Sequence, residues 1–184
     1  HVVLLVMQFV VAGAIARKNP FKSLYTMLPA YMTALGTQSS AATIPVTLAQ
    51  TIKNGVREEI ASFVIPLCAT IHLAGSILKI VACAYAISLS MGMNVELDLY
   101  AGFICMLGVI MVAAPGVPGG AIMAAIGLIA TMLGFDPSMQ GLMIALYIAM
   151  DSFGTAANVT GDGAIALIIN TIKTKSLPET VTAE

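Results

Sequence analysis

The chain has 184 residues, of which 59% are hydrophobic and 9% charged, with eight basic and nine acidic side chains and a net charge of −1. Its mean hydropathy of +0.96 excludes an ordinary water-soluble domain, and its near-neutral balance offers no basic footprint for nucleic acid. A charge at the bilayer midplane costs about 2.5 to 3.5 kcal/mol; here the charges are swept out of long apolar runs, which marks an integral membrane protein bathed in a lipid bilayer.

In chain order, residues 1–19 hold the apolar run Val2 to Ala16, too short before Arg17 for a comfortable full span. With no initiator methionine and no cleavable signal, the expectation is the end of a transmembrane helix in the C-terminal part of a longer protein. Seven of the eight basic residues fall in three linkers, around Arg17 to Lys22, Lys53 to Arg57, and Lys173 to Lys175. The positive-inside rule puts these in the cytoplasm and the acidic linkers at Glu96 to Asp98 and at Asp136 outside.

Between Lys22 and Lys53 lie 30 uncharged residues with both ends on one side, too few for two spans of about 20 residues and a turn. Residues 20–54 are therefore predicted to form a re-entrant hairpin. Residues 58–94 follow as a broken transmembrane helix. Residues 97–135 repeat the pattern from the opposite face, with Ala114-Pro115-Gly116-Val117-Pro118-Gly119-Gly120 interrupting any helix at their middle. Two tight crossings are the alternative for 99–135. Residues 137–173 make the last transmembrane helix and 174–184 a cytoplasmic tail. Hairpin plus span, present twice and inverted, predicts an all-α membrane protein of the kind that exposes one site alternately to two faces.

Irregular backbone at membrane depth survives only where protein or a cavity surrounds it, so the hairpin tips mark a binding site. Asp151, Thr155, Asn158 and Asp162 are spaced by four, three and four residues and share one stripe of the last helix. Helix-to-helix hydrogen bonding is the plain alternative for Thr155 and Asn158. Two carboxylates at this depth need a bound ion, a ligand ammonium or a proton. The first tip, Gln38 to Pro45, offers hydroxyls and a helix N-terminus that attracts a carboxylate; Gly116, Gly119 and Gly120 offer backbone amides without obstruction. This layout suits a zwitterion, with Asp151 for its ammonium. Cys68, Cys83 and Cys105 lie in apolar stretches at no metal-like spacing, and the twelve methionines read as packing.

Thr37-Gln38-Ser39-Ser40, Thr43-Ile44-Pro45-Val46-Thr47, Ala69-Thr70-Ile71, Gly116-Val117-Pro118-Gly119, Asp151 and Asn158-Val159-Thr160-Gly161-Asp162 occur in this order. Together they resemble the dicarboxylate/amino acid:cation symporter family, which includes glutamate and aspartate transporters, over about residues 20 to 170. The resemblance implies the transport-domain part of such a protein, in which the domain slides like an elevator against a trimeric scaffold and the second hairpin is the gate. The scaffold helices that would form a homotrimer are missing from this chain apart from residues 1–16. Carried over, Ser39, Ser40, Gly116, Val117, Asp151, Thr155 and Asn158 would meet the substrate. Asp162 and Asn158, with carbonyls near Cys68, would hold a sodium ion; Thr70 and Leu73 would line another sodium site. No organic cofactor is implied.

Two departures shape the expected function. The arginine that grips a side-chain carboxylate in glutamate transporters is Gly154 here, and the first-hairpin arginine of some relatives is Gln38. Burying a second carboxylate without a guanidinium costs several kcal/mol, which predicts symport of a small neutral amino acid, with a dicarboxylate or acidic amino acid as the alternative. The family's Asn-Met-Asp-Gly-Thr is His72-Leu73-Ala74-Gly75-Ser76. One cation site thus loses its carboxylate, and His72 introduces a side-chain type that ordinarily titrates between about pH 5 and 8. Na+, H+ or both are the expected coupling ions, with His72 as a proton site or as a hydrogen-bonded core histidine. Lys79, seven residues on, would balance a carboxylate, stand in for a cation, or snorkel. A channel-like or receptor protein binding a zwitterion without coupling is the alternative of another class. An intramembrane hydrolase built on His72 with Ser39 or Ser40 has no supporting spacing. The expected location is the plasma (cell inner) membrane.

Overall fold

The computed structural model describes residues 1–176, and every regular element among them is an α-helix; of the 174–184 tail, residues 177–184 lie outside the described residues. Helix α1 (Val2–Ala16) ends at Arg17 with φ 52. Pro20 then opens α2 (Pro20–Thr26), whose first free N–H groups, on Phe21 and Lys22, donate to Asn19 Oδ1 at 3.0 and 3.1 Å. The chain turns by 117° between the two.

The first hairpin is α3 (Leu28–Thr37) and α4 (Ser40–Lys53). Gln38 turns the corner in the left-handed region (φ 52), where a residue other than glycine is strained, and Ser39 caps α4 by accepting from the Ala42 N–H at 3.2 Å. Helices α5 (Glu58–Ile71) and α6 (Ala74–Ser90) form one broken span across His72–Leu73, and Glu58–Ser90 is long and apolar enough to cross a membrane. The second hairpin is α7 (Leu97–Met111) and α8 (Gly120–Leu133). At 1.5 Å per residue, its arms of 15 and 14 residues reach about 22 Å, short of a hydrocarbon core of about 30 Å. Both arms are apolar and shorter than a full span.

The last span departs from the single helix expected over 137–173. It divides into α9 (Pro137–Ala149) and α10 (Asp151–Ser176), bent by 59° at Met150. No proline or glycine stands at the bend; Met150, with φ −114 and ψ 13, ends α9, and its carbonyl accepts from Lys79 Nζ at 3.4 Å. Asp151 becomes the first residue of α10, where a negative charge meets the positive end of the helix dipole.

Two apolar clusters hold the bundle. One joins α6, α7, α8 and α9 around Ile80, Phe103, Leu107, Ile122 and Met143; the other joins α1, α5 and the later part of α10 around Phe9, Ile65 and Leu167. The stretch from Asp151 to Asp162 runs between them, with Ala156 and Val159 packed on Ala34 in a small cluster of their own. The outer surface carries Phe63, Val109, Met123 and other large apolar side chains, while Asp151, Asn158 and Asp162 are buried. Apolar outside and polar inside is the arrangement that lipid selects.

Helix α6 reaches α10 closely enough that a Cβ on Gly75 would stand 2.6 Å from the Gly154 carbonyl oxygen and 2.8 Å from Ala157 Cβ. Gly75→Ala is therefore expected to destabilise the protein by about 1–3 kcal/mol through overpacking. Gly127→Ala, with nothing within 4 Å of the added carbon, is expected to be neutral or to stabilise by up to about 1 kcal/mol. Thermal melting of the two variants in detergent checks this; equal melting temperatures would contradict the close approach.

Candidate functional site

The four stripe residues all lie on the buried face of α10, and each carboxylate has a partner there. Asp151 Oδ1 accepts from Lys79 Nζ at 2.8 Å, and its Oδ2 accepts from the Gly119 N–H at 2.8 Å. Lys79 is 4% exposed and Asp151 3%, so this is an ion pair fully withdrawn from water. The ammonium also stands 3.3 Å from the centroid of the Tyr147 ring, a cation–π contact strengthened by burial. At the other end of the stripe, Asp162 Oδ1 lies 2.8 Å from His72 Nδ1, and Gln8 Nε2 lies 3.2 Å from His72 Nε2.

These pairs replace the expectation that both carboxylates are bare. Of the three roles open to Lys79, the structure selects the balancing of a carboxylate. Gly154 is what admits it: a Cβ there would fall 3.2 Å from Lys79 Nζ and 3.4 Å from Cε. The departure at Gly154 and the lysine on α6 are thus one local change, in which a cation comes from across the site instead of from α10 itself.

Asn158 has a structural task at the break between α5 and α6. Its Oδ1 accepts from the Gly75 N–H at 2.8 Å and the Ser76 N–H at 3.4 Å, and its Nδ2 donates to Ser76 Oγ at 3.0 Å. Leu73, which precedes α6, has no side-chain cap to give, so Asn158 satisfies the free N–H groups from another helix. Thr155 is buried and lines the same space.

The two hairpin tips touch. Ser39 Oγ donates to the Gly116 carbonyl at 2.9 Å and the Ala41 N–H donates to it at 3.2 Å. A Cβ on Gly116 would meet the Ala69 carbonyl oxygen at 2.7 Å, so only glycine lets the second tip seat this deeply. Gln38, Ser40, Gly116, Val117, Asp151 and Asn158 are among the residues around one small cavity, with Leu73 and Ser76 on its wall. Its volume of about 10 Å³ is close to what a single water needs. The tips, Asp151 and Thr155 therefore converge on one constricted pocket.

The residues expected to hold sodium are spread along the α5–α6 break. Cys68 is buried, and its carbonyl accepts from the His72 N–H at 2.9 Å, which ties it to the His72–Asp162 pair. Thr70 is exposed and donates to the Leu67 carbonyl within its own helix at 2.9 Å, away from Asp162 and Asn158 in its bonding. Among the described residues no group of three or more His, Cys, Asp or Glu side chains stands ready for a metal ion; an alkali ion here would draw on carbonyl and amide oxygens as well. Ser39 and His72 bond to different partners, Gly116 and Asp162, with no nucleophile–base contact between them.

Sequence reasoning missed Tyr147, Ser76 and Gln8. Tyr147 stands four residues before Asp151, and Gln8 is the one polar side chain in the run Val2 to Ala16. A lone polar group in an apolar run is a signal in its own right.

The chain matches the sodium:dicarboxylate symporter family over residues 1–172. It belongs to that family. The family is one of transporters, not of enzymes, and its glutamate-transporter type of architecture is the one described above. The chain is 32% identical over 165 residues to neutral amino acid transporter A of Bos taurus, covering 88% of this chain and 30% of that protein. It is 34% identical over 171 residues to excitatory amino acid transporter 3 of Bos taurus, covering 90% and 32%. The human neutral amino acid transporter A is 32% identical over 164 residues, covering 87% and 30%. The chain thus spans about a third of the length of these relatives.

Replacing Asn158 by Leu removes the oxygen that serves two buried N–H groups and leaves Ser76 Oγ without its donor. The expected cost is about 2–4 kcal/mol, read as a lowered melting temperature in detergent. An unchanged melting temperature would show that the α5–α6 break does not depend on Asn158.

Proposed function

We propose that this chain is the substrate-carrying part of a cation-coupled symporter for a small neutral amino acid, such as serine, alanine or threonine. In this reading residues 20–54 and 97–135 are the two re-entrant hairpins, the second acting as gate. Residues 58–94 and 137–173 are the broken spans beside them. The whole moves as an elevator against N-terminal scaffold helices that assemble a homotrimer in the plasma (cell inner) membrane.

The observation that carries the substrate class is the Lys79–Asp151 pair. It makes the pocket net neutral, with its one buried cation already engaged. A zwitterion adds no net charge to such a pocket. Its ammonium takes Asp151 Oδ2 when the second hairpin lifts its Gly119 N–H away, and its carboxylate takes the N-terminus of α4 at Ser39 and Ser40. Gly116, Val117, Gly154, Thr155 and Asn158 form the surrounding wall. An acidic substrate would add a net negative charge to this pocket, whose one buried cation among the described residues is already balanced by Asp151.

Sodium is the coupling ion supported by the family, with Asp162, Asn158 and the carbonyls near Cys68 as its seat, and Thr70 and Leu73 beside a second position. The His72–Asp162 contact bears directly on that choice. A neutral His72 accepts from the Gln8 amide nitrogen, and turning that amide would bring Gln8 Oε1, a buried oxygen without a partner, to accept from a doubly protonated ring. A proton carried at His72 is the other outcome of the coupling experiment.

Uptake into proteoliposomes carrying the protein complete with its scaffold helices tests the reading. Serine, alanine or threonine should saturate transport, with aspartate at least tenfold less efficient; Asp151→Asn should cut uptake more than tenfold. Strong saturable aspartate uptake would overturn the neutral class. Uptake measured against sodium at fixed pH, then against pH at fixed sodium, in wild type and His72→Gln, identifies the ion. Dependence on sodium that survives His72→Gln supports sodium alone, and a pH dependence that His72→Gln abolishes assigns a proton to His72.

A further inference from the structure

The pocket is nearly filled, and the carboxylate on its wall is not bare. Asp151 is held between Lys79 Nζ on one oxygen and the Gly119 N–H of the second hairpin tip on the other, each at 2.8 Å. The same tip seals against the first hairpin through the Gly116 carbonyl, which accepts from Ser39 Oγ and the Ala41 N–H. With room for about one water in the cavity, closing requires that Asp151 already have a cation.

From this we infer that Lys79 is a built-in counter-ion for the empty carrier: it balances Asp151 from Oδ1 when no substrate ammonium is on Oδ2, so that the gate closes without substrate. The inference rests on the reading of Asp151 as the seat of the substrate's ammonium. Without Lys79, closure over a lone carboxylate would trap an uncompensated charge away from water, which is strongly disfavoured. Only a loaded site, with the substrate's own ammonium on Asp151, would then close. The carrier would become an exchanger, able to cross full but not empty.

Lys79 also has somewhere to go when substrate arrives. Its ammonium already lies over the Tyr147 ring and within 3.4 Å of the Met150 carbonyl at the α9–α10 bend. Shifting along these contacts relaxes its hold on Asp151 without sending the charge into lipid. Gly154 leaves the path open, because any side chain there would meet Lys79 Nζ. Ion pair, cation–π contact, carbonyl and missing side chain thus converge on a lysine that loosens its hold on Asp151 when substrate binds.

The test uses the complete carrier in membranes with Cys68, Cys83 and Cys105 changed to alanine and a reporter at Ser40→Cys. Ser40 is buried beneath the second tip, whose Gly116 would carry a Cβ 3.5 Å from Ser40 Cβ. With no amino acid present, the reporter should resist a small methanethiosulfonate reagent when Lys79 is intact. Lys79→Met should raise the labelling rate at least tenfold, and Lys79→Arg should restore most of the protection. Should Lys79→Met fail to fold, Lys79→Gln keeps a donor for Asp151 without the charge and should show the same exposure. Equal labelling rates with and without the Lys79 charge would overturn the proposal.

A flux measurement gives the second arm, using whichever amino acid the wild type carries. The ratio of net uptake to exchange should fall at least tenfold in Lys79→Met and recover in Lys79→Arg. A loss of packing alone would lower both fluxes together, and an unchanged ratio would overturn the counter-ion role. A wild type that carries acidic rather than neutral amino acids would sink the neutral-substrate reading while leaving both Lys79 tests decisive.

Discussion

A carboxylate enclosed in a protein that is itself enclosed in lipid must have a positive partner, and the geometry of this domain follows from how that requirement is met. Asp151 sits where α9 breaks into α10, with Lys79 from α6 on one oxygen and a backbone N–H of the second hairpin on the other. Three separate elements are pinned to one side chain. The bend at Met150 supplies a carbonyl to the same lysine, Tyr147 supplies a ring face, and Gly154 supplies the space. Removing only one charge of such a pair leaves the other stranded, which is why buried pairs are costly to break even where their net contribution to stability is small.

Around that centre the fold divides its labour. Two apolar clusters, one on each side of the α10 stripe, provide rigid flanks, and the polar groups between them are satisfied across elements distant in sequence. Asn158 caps α6 from 82 residues away, His72 meets Asp162 across 90, and Ser39 meets Gly116 across 77. A seam of this kind has alternative partners available, since the second tip is held to the first and to Asp151 by hydrogen bonds to backbone or to a charged group that a dipolar solute can imitate. Apolar flanks with an exchangeable polar seam let a pocket open without loosening the domain.

Much of this was legible in the sequence because lipid punishes misplaced charge. The 30 uncharged residues between Lys22 and Lys53 and the proline–glycine interruption at residues 115–120 mark stretches where the structure has paired helices, α3 with α4 and α7 with α8. The four-three-four spacing located the stripe. The partners of its carboxylates were harder to read, because pairing between α6 and α10 depends on tertiary approach, and the face shared by His72 and Lys79 did not say which helix it opposed. The bend at Met150 carries no proline or glycine, so no local signal in the sequence marks it. The capping task of Asn158 was not readable, because the free N–H groups it serves appear only once α5 and α6 are seen to break. Thr70, matched to an ion site by resemblance, bonds within its own helix.

The most direct test of this arrangement is a structure of the complete carrier with its amino acid bound. The expected density places the ammonium on Asp151 Oδ2, the carboxylate at Ser39 and Ser40, the second hairpin tip moved off Asp151, and Lys79 drawn toward Tyr147. A bound solute lying away from the α10 stripe, with the Gly119 N–H still on Asp151, would contradict it.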